Sequence, residues 1–181
     1  MDDFVPFGGR LYFFNLALMV FSRGMDFLST WIATPNLVLE ANPIAKRVGW
    51  RAGIALNALI CIGLASWPLP AIVISTMSLL VAGRNLQVAW LMRSMGEERY
   101  ALWFSERLSE VRSGLFLFCL FGQTIVTALI GGALMYFSQC SLQAGLIHLV
   151  PFSVGMGILT YAFAITVFTL LAMRRINRRS F

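Results

Sequence analysis

The chain has 181 residues, a net charge of +6 and a mean hydropathy of +0.78, with 59% hydrophobic and 12% charged residues. Soluble domains carry roughly 25% charged residues, so this composition excludes an ordinary water-soluble domain and indicates a polytopic membrane protein. The positive charge falls between apolar runs rather than on one basic face or motif, which reads as a topology signal and argues against a nucleic-acid partner.

Met1-Asp2-Asp3 lacks the positive n-region of a secretory signal, so the first apolar run is expected to be an uncleaved span. That run covers about 11–33, long enough for the ~20 helical residues a bilayer core needs. Its polar residues Asn15, Ser22, Asp26, Ser29 and Thr30 recur at helical spacing and predict one inward-facing stripe. Arg23 lies three residues from Asp26, within pairing reach on one surface. Thr34-Pro35-Asn36 ends the helix, because proline disfavours helical geometry in the residue before it. Asn42-Pro43 restarts one, with asparagine as N-cap and proline at the first helical position. Glu40 sits just ahead of that N-terminus, where the helix dipole favours an anion.

The second span covers about 43–67 and carries Lys46, Arg47 and Arg51 on its first turns, placed to snorkel. Trp67-Pro68-Leu69-Pro70 reads as a short turn before a third span at about 71–92, striped with Ser75, Ser78, Ala82 and Asn85 and flanked by Arg84 and Gln87. Residues 95–112 alternate charged groups with Tyr100, Trp103, Phe104, Leu108 and Val111 at helical spacing, the pattern of an amphipathic helix lying on the membrane surface. A fourth span at about 114–137 carries Gln123, Thr124, Thr127 and Gly131 along one side. A fifth, at about 146–173, has a small-residue stripe of Ser153, Gly157, Thr160 and Ala164 suited to close helix contact.

The expected fold is therefore an all-α integral membrane bundle of five transmembrane helices plus one amphipathic cytoplasmic-surface helix. It forms one domain over 1–181 with no internal repeat. Apart from Arg10, Arg23 and Arg84, every basic residue falls before the second span or at its start, between the third and fourth, or after the fifth. The positive-inside rule then puts the N-terminus outside and the C-terminus in the cytoplasm.

This topology carries a geometric expectation. Asp26 and Arg84 both fall about 20 Å from the outer end of an inward-running span. Arg23, Asp26, Thr30, Glu40, Asn42, Arg84, Asn85 and Gln123 are thus the candidate members of one polar layer in the cytoplasmic half. An unpaired charge at the bilayer centre costs at least ~3 kcal/mol on insertion scales, so Asp26 and Arg84 are expected to pair across helices.

Asp26, Thr30, Glu40, Asn42 and Pro43 form an Asp-x3-Thr…Glu-Ala-Asn-Pro motif at the end of the first span. It resembles that of a family of small, uncharacterised prokaryotic integral membrane proteins. The resemblance covers about the first quarter of the chain, implies the cytoplasmic membrane of a prokaryote, and brings no activity with it.

Catalytic sets are poorly represented. The sole histidine, His148, is expected at the opposite membrane face from Glu40, and Cys61, Cys119 and Cys140 lie too far apart for a zinc or redox pattern, so no metal site is expected. Asp26 is the one carboxylate expected inside the membrane, and no Gly-x-Ser-x-Gly elbow occurs. Cys140 and His148 share the outer side and resemble the nucleophile pair of exosortase-type membrane transpeptidases, yet no arginine follows there. The sequence specifies no cofactor. The leading expectation is a non-catalytic accessory or assembly subunit, with membrane lipid and other membrane subunits or further copies of itself as partners. The alternatives are a small transporter or ligand-binding protein using the Asp26/Arg84 layer and, behind it, a Cys140-dependent enzyme.

Overall fold

The structure is a computed structural model that describes residues 4–40, 43–139 and 146–177. Six helices make up its regular structure: α1 (Arg10–Ala33), α2 (Pro43–Leu64), α3 (Pro68–Met95), α4 (Glu97–Glu110), α5 (Ser113–Gln139) and α6 (Leu146–Asn177). All but α4 contain a stretch long and apolar enough to cross a membrane. No strand occurs among the described residues.

α3 is the central element, packed on α1 and α6 and touching α2 and α4, while α5 packs on α6. The reason lies in spacing. α1 buries Tyr12, Asn15, Met19, Ser22, Ser29 and Ala33, and α3 buries Ala71, Ser75, Ser78, Ala82 and Ala89. These alternating three- and four-residue steps put each set on one stripe. The α3 stripe is made of alanine and serine, which lets the two backbones approach closely where lipid provides no hydrophobic drive for association. Arg23 donates to Ser78, and Asn85 donates to Ser29 and Thr30. Residue numbers rise together along both helices, so α1 and α3 run parallel.

On the other side of α3, glycines set the distance. A Cβ on Gly157 would come within 2.7 Å of Thr76 Cβ and 2.8 Å of the Val73 carbonyl oxygen. Gly131 and Gly155 meet at the α5–α6 contact, where a Cβ on Gly155 would lie 2.5 Å from the Gly131 carbonyl oxygen. The Thr124 and Thr166 hydroxyls join the same two helices at 2.6 Å. The expected fifth-span stripe is corrected in part. Ser153 and Gly157 are buried, but Thr160 faces outward and bonds its own helix at Met156, so the contact row passes instead through Gly155, Ala162 and Thr166.

α2 is attached differently. Its C-terminal carbonyls have no intrahelical donors, and in a membrane such groups must be satisfied by protein. Tyr12 Oη donates to Ile62 O at 3.2 Å, Asn15 Nδ2 to Ala65 O at 3.0 Å, and the Val5 amide to Ser66 O at 2.8 Å. Polar capping from the start of the chain and from α1 thus holds the end of α2. Its beginning contains a break that the sequence reading did not foresee, at Gly49 with φ 71° and ψ 179°. The following proline pair is also placed differently. Pro68 and Pro70 lie in the first turn of α3 rather than in a turn before it, since a first-turn residue needs no amide hydrogen for the helix.

Candidate functional site

The expected polar layer forms as two separate clusters on opposite sides of α3. The first lies between α1, α2 and α3 and is centred on Arg23. Its Nε donates to Asn57 Oδ1 at 2.7 Å, and Nη2 reaches the same oxygen. Nη1 donates to Asp26 Oδ2 and to Ser78 Oγ, each at 3.1 Å. Asn57 in turn donates to Gly53 O, which fixes its amide with the oxygen toward Arg23. Asn85 of α3 bonds both Ser29 and Thr30 two turns further along α1. Glu40 lies in the loop after α1, its amide donating to Leu37 O. Asn42, the remaining candidate on this side, lies outside the described residues.

The expected Asp26–Arg84 pair is therefore corrected. Asp26 pairs with Arg23, and among the described residues no ion pair joins it to Arg84. The physical reason is angular. Ser78 and Asn85 are seven residues apart and share the α1-facing stripe, whereas Arg84 is one residue, or about 100°, away from Asn85. Arg84 stands level with Ser29, about one turn past Asp26, and is turned away from α1.

The second cluster lies where that rotation sends Arg84. A cleft of about 480 Å³ between α3, α5 and α6 is lined by Arg84, Gln87, Gln123 and Tyr161, with Leu79, Leu80, Gly83 and Val88 as its apolar walls. Among the described residues none of these four polar side chains has a hydrogen-bond or ion-pair partner. Arg84 and Gln123 lie at matching depth, about 16 and 15 Å from the ends of α3 and α5 that α4 connects. The two clusters differ in charge as well. Arg23 is balanced by Asp26, whereas the cleft carries the Arg84 cation with no carboxylate lining it.

A third polar centre stands at the end of the bundle where α1 ends and α4 begins. The Glu97 carboxylate accepts from Thr34 Oγ1 at 2.6 Å, the Asn36 amide at 2.9 Å, the Val38 amide at 3.0 Å and Asn36 Nδ2 at 3.1 Å. Leu37, at φ 57°, turns the two amides to the same side. Successive backbone amides around a left-handed residue make an anion-binding nest. Partial burial pushes the Glu97 carboxyl up, but these four bonds outweigh it and hold the group below the usual glutamate range. Trp50 Nε1 on Pro35 O and Lys46 Nζ on Val38 O tie the same loop to α2.

Asn57, Tyr161 and the Thr34–Glu97 clasp were not anticipated. An amide in the middle of an otherwise apolar span was the available signal for Asn57. Tyr161 and the clasp had none, because each depends on tertiary proximity. No group of three or more metal-binding side chains occurs among the described residues. Cys140 lies outside them. Comparison with protein-family models, with curated proteins and with solved structures found no match.

Proposed function

We propose that this chain is a non-catalytic accessory or assembly subunit of a larger membrane complex. In this reading it lies in the cytoplasmic membrane of a prokaryote with the N-terminus outside and the C-terminus inside. The observation that supports a subunit role is how little of α2 its own chain covers. In the apolar window of α2 6% of residues are buried, against 22% in those of α1, α3 and α6. Ile54, Leu56, Leu59 and Ile62 stand exposed along α2, while it is attached by polar bonds at Asn57 and its two ends and by apolar contacts of Cys61 and Trp50 with α1 and α3. A helix held in register but left open on its apolar flank suits contact with a neighbouring helix of another subunit or a second copy.

The orientation rests on the basic residues, and the prokaryotic setting on the Asp26–Pro43 motif. In this reading α4 lies on the cytoplasmic surface, with Tyr100 buried against the bundle, Phe104 stacked beside it on the apolar face, and Leu102 exposed on the opposite face. Purification in mild detergent with mass analysis tests the role. Stoichiometric partner chains are expected, and a monodisperse single copy or homo-oligomer would overturn it. Labelling of Cys140, against a cysteine introduced at Ser109 in α4, by a membrane-impermeant maleimide tests the orientation. In intact cells Cys140 should react and the Ser109→Cys site should not. An outer-face enzyme working through Cys140 would lose its activity in Cys140→Ala.

A second reading is a ligand-binding or transport protein. The unpartnered donors of the Arg84 cleft favour placing its site there rather than at Asp26, whose carboxylate is engaged by Arg23.

A further inference from the structure

We infer that the Arg84 cleft binds the headgroup of an anionic phospholipid from the cytoplasmic leaflet. The inference deepens the second reading and rests on α3, α5 and α6 spanning the membrane in the proposed orientation; it does not require a partner chain.

Three observations converge on it. The first is the chemistry of the lining. A guanidinium, two carboxamides and a phenol present eight or more hydrogens to one space, and no carboxylate lines it. A transported metal cation would meet the wrong sign of charge there, whereas phosphate oxygens would meet a donor on every polar wall. The second is Tyr161. It is 8% exposed, its ring lies against the cleft wall, and its hydroxyl has no partner among the described residues and reaches the open space of the cleft. Thr124 and Thr166, on the neighbouring contact, do find theirs.

The third is position. α3 is 28 residues long, or about 42 Å, roughly 12 Å more than the hydrocarbon core. Centred in the bilayer, it holds Arg84 about 10 Å beneath the inner boundary. Gln87 lies nearly one turn closer to that boundary. A snorkelling arginine covers part of the distance, and a headgroup settling into the cleft covers the rest. Leu79, Leu80 and Val88 then lie beside the acyl chains. The cleft volume falls within the ~300–1,000 Å³ common for small-molecule sites, and basic pockets between helices at the cytoplasmic side suit acidic headgroups.

The test uses the full chain in detergent and native mass spectrometry with phosphatidylglycerol and phosphatidylcholine vesicle lipids added separately. Wild-type protein should retain phosphatidylglycerol at about tenfold lower lipid concentration than phosphatidylcholine, because both offer a phosphate to Arg84 but the quaternary ammonium of phosphatidylcholine cancels its charge. Arg84→Gln should abolish that preference, and Arg93→Gln, at the exposed end of α3, should keep it. Tyr161→Phe, which preserves the bulk of the side chain, should weaken retention severalfold and supplies the test if Arg84→Gln does not fold. Ten-millimolar inorganic phosphate should leave the lipid bound. Equal retention of the two lipids, an equal loss in Arg93→Gln, or wild-type retention in Tyr161→Phe would each overturn the assignment. Displacement by inorganic phosphate would overturn the lipid as its source and make the cleft a free-anion site.

Discussion

Replacing Asn57 by leucine isolates the polar contact that joins the middle of α2 to α1. Leucine matches the asparagine closely in size but takes away the oxygen that receives both Nε and Nη2 of Arg23. Arg23 then keeps Asp26 and Ser78, both reached through Nη1, and the other two donors face an apolar span. Hydrogen bonds to charged groups contribute about 1.5–3 kcal/mol each, whereas neutral interhelical contacts in membranes average near 0.6 kcal/mol. Because one oxygen serves two donors, the loss should fall at about 2–3 kcal/mol rather than twice the single-bond figure. Unfolding by denaturing detergent in mixed micelles, followed by circular dichroism, reads it directly. A double-mutant cycle with Arg23→Leu should return a coupling of at least about 1.5 kcal/mol, since the two residues share the contact. A change under about 0.5 kcal/mol in Asn57→Leu, or additivity in the cycle, would refute Arg23 as the polar centre of this half of the fold.

Other perturbations probe the remaining contacts. Gly155→Ala puts a Cβ against the Gly131 carbonyl and should cost about 1–3 kcal/mol in the same assay, while Gly132→Ala, whose Cβ meets nothing within 4 Å, should be neutral. Gly49→Ala should cost about 1–3 kcal/mol, because φ 71° with ψ 179° is a conformation that side-chain-bearing residues strongly disfavour. The Asn36 and Val38 amides should be protected from hydrogen exchange at neutral pH and lose protection in Glu97→Gln. As Glu97 titrates below its ordinary value of 4.5, the clasp's contribution is fully present above that value and is lost as pH falls through the lower folded value.

The helices were legible because their signals are local. Long apolar runs, Pro43 at a helix start, and the charged break between Met95 and Ser113 fix element number and order without tertiary information. The α1 and α3 stripes were legible too, since Ser22, Ser29, Ser75 and Ser78 stand out against apolar surroundings. Rotation about each helix axis was harder. Axial rise alone placed Arg84 level with Asp26, but one residue of rotation carries it round α3 to another cleft. Asn57 was overlooked as a single amide with no partner nearby in sequence, although it is the residue that Arg23 contacts on α2. The Glu97 clasp joins residues 61 and 63 positions apart, and nothing in either segment names the other.

That separation has a consequence for biogenesis. The carboxylate that shapes residues 34–39 is made only after two further spans have been synthesised. Until α4 emerges, the Asn36 and Val38 amides must rely on water, and the connection between the first two spans is held by its own turn and by Trp50 and Lys46 alone. A nascent chain stopped after α3 would therefore carry its stripes and its Arg23 bonds but a first loop that lacks its carboxylate. Closure of the clasp marks the moment when the first half of the protein becomes complete, and quality-control proteases would find that loop most accessible just before it.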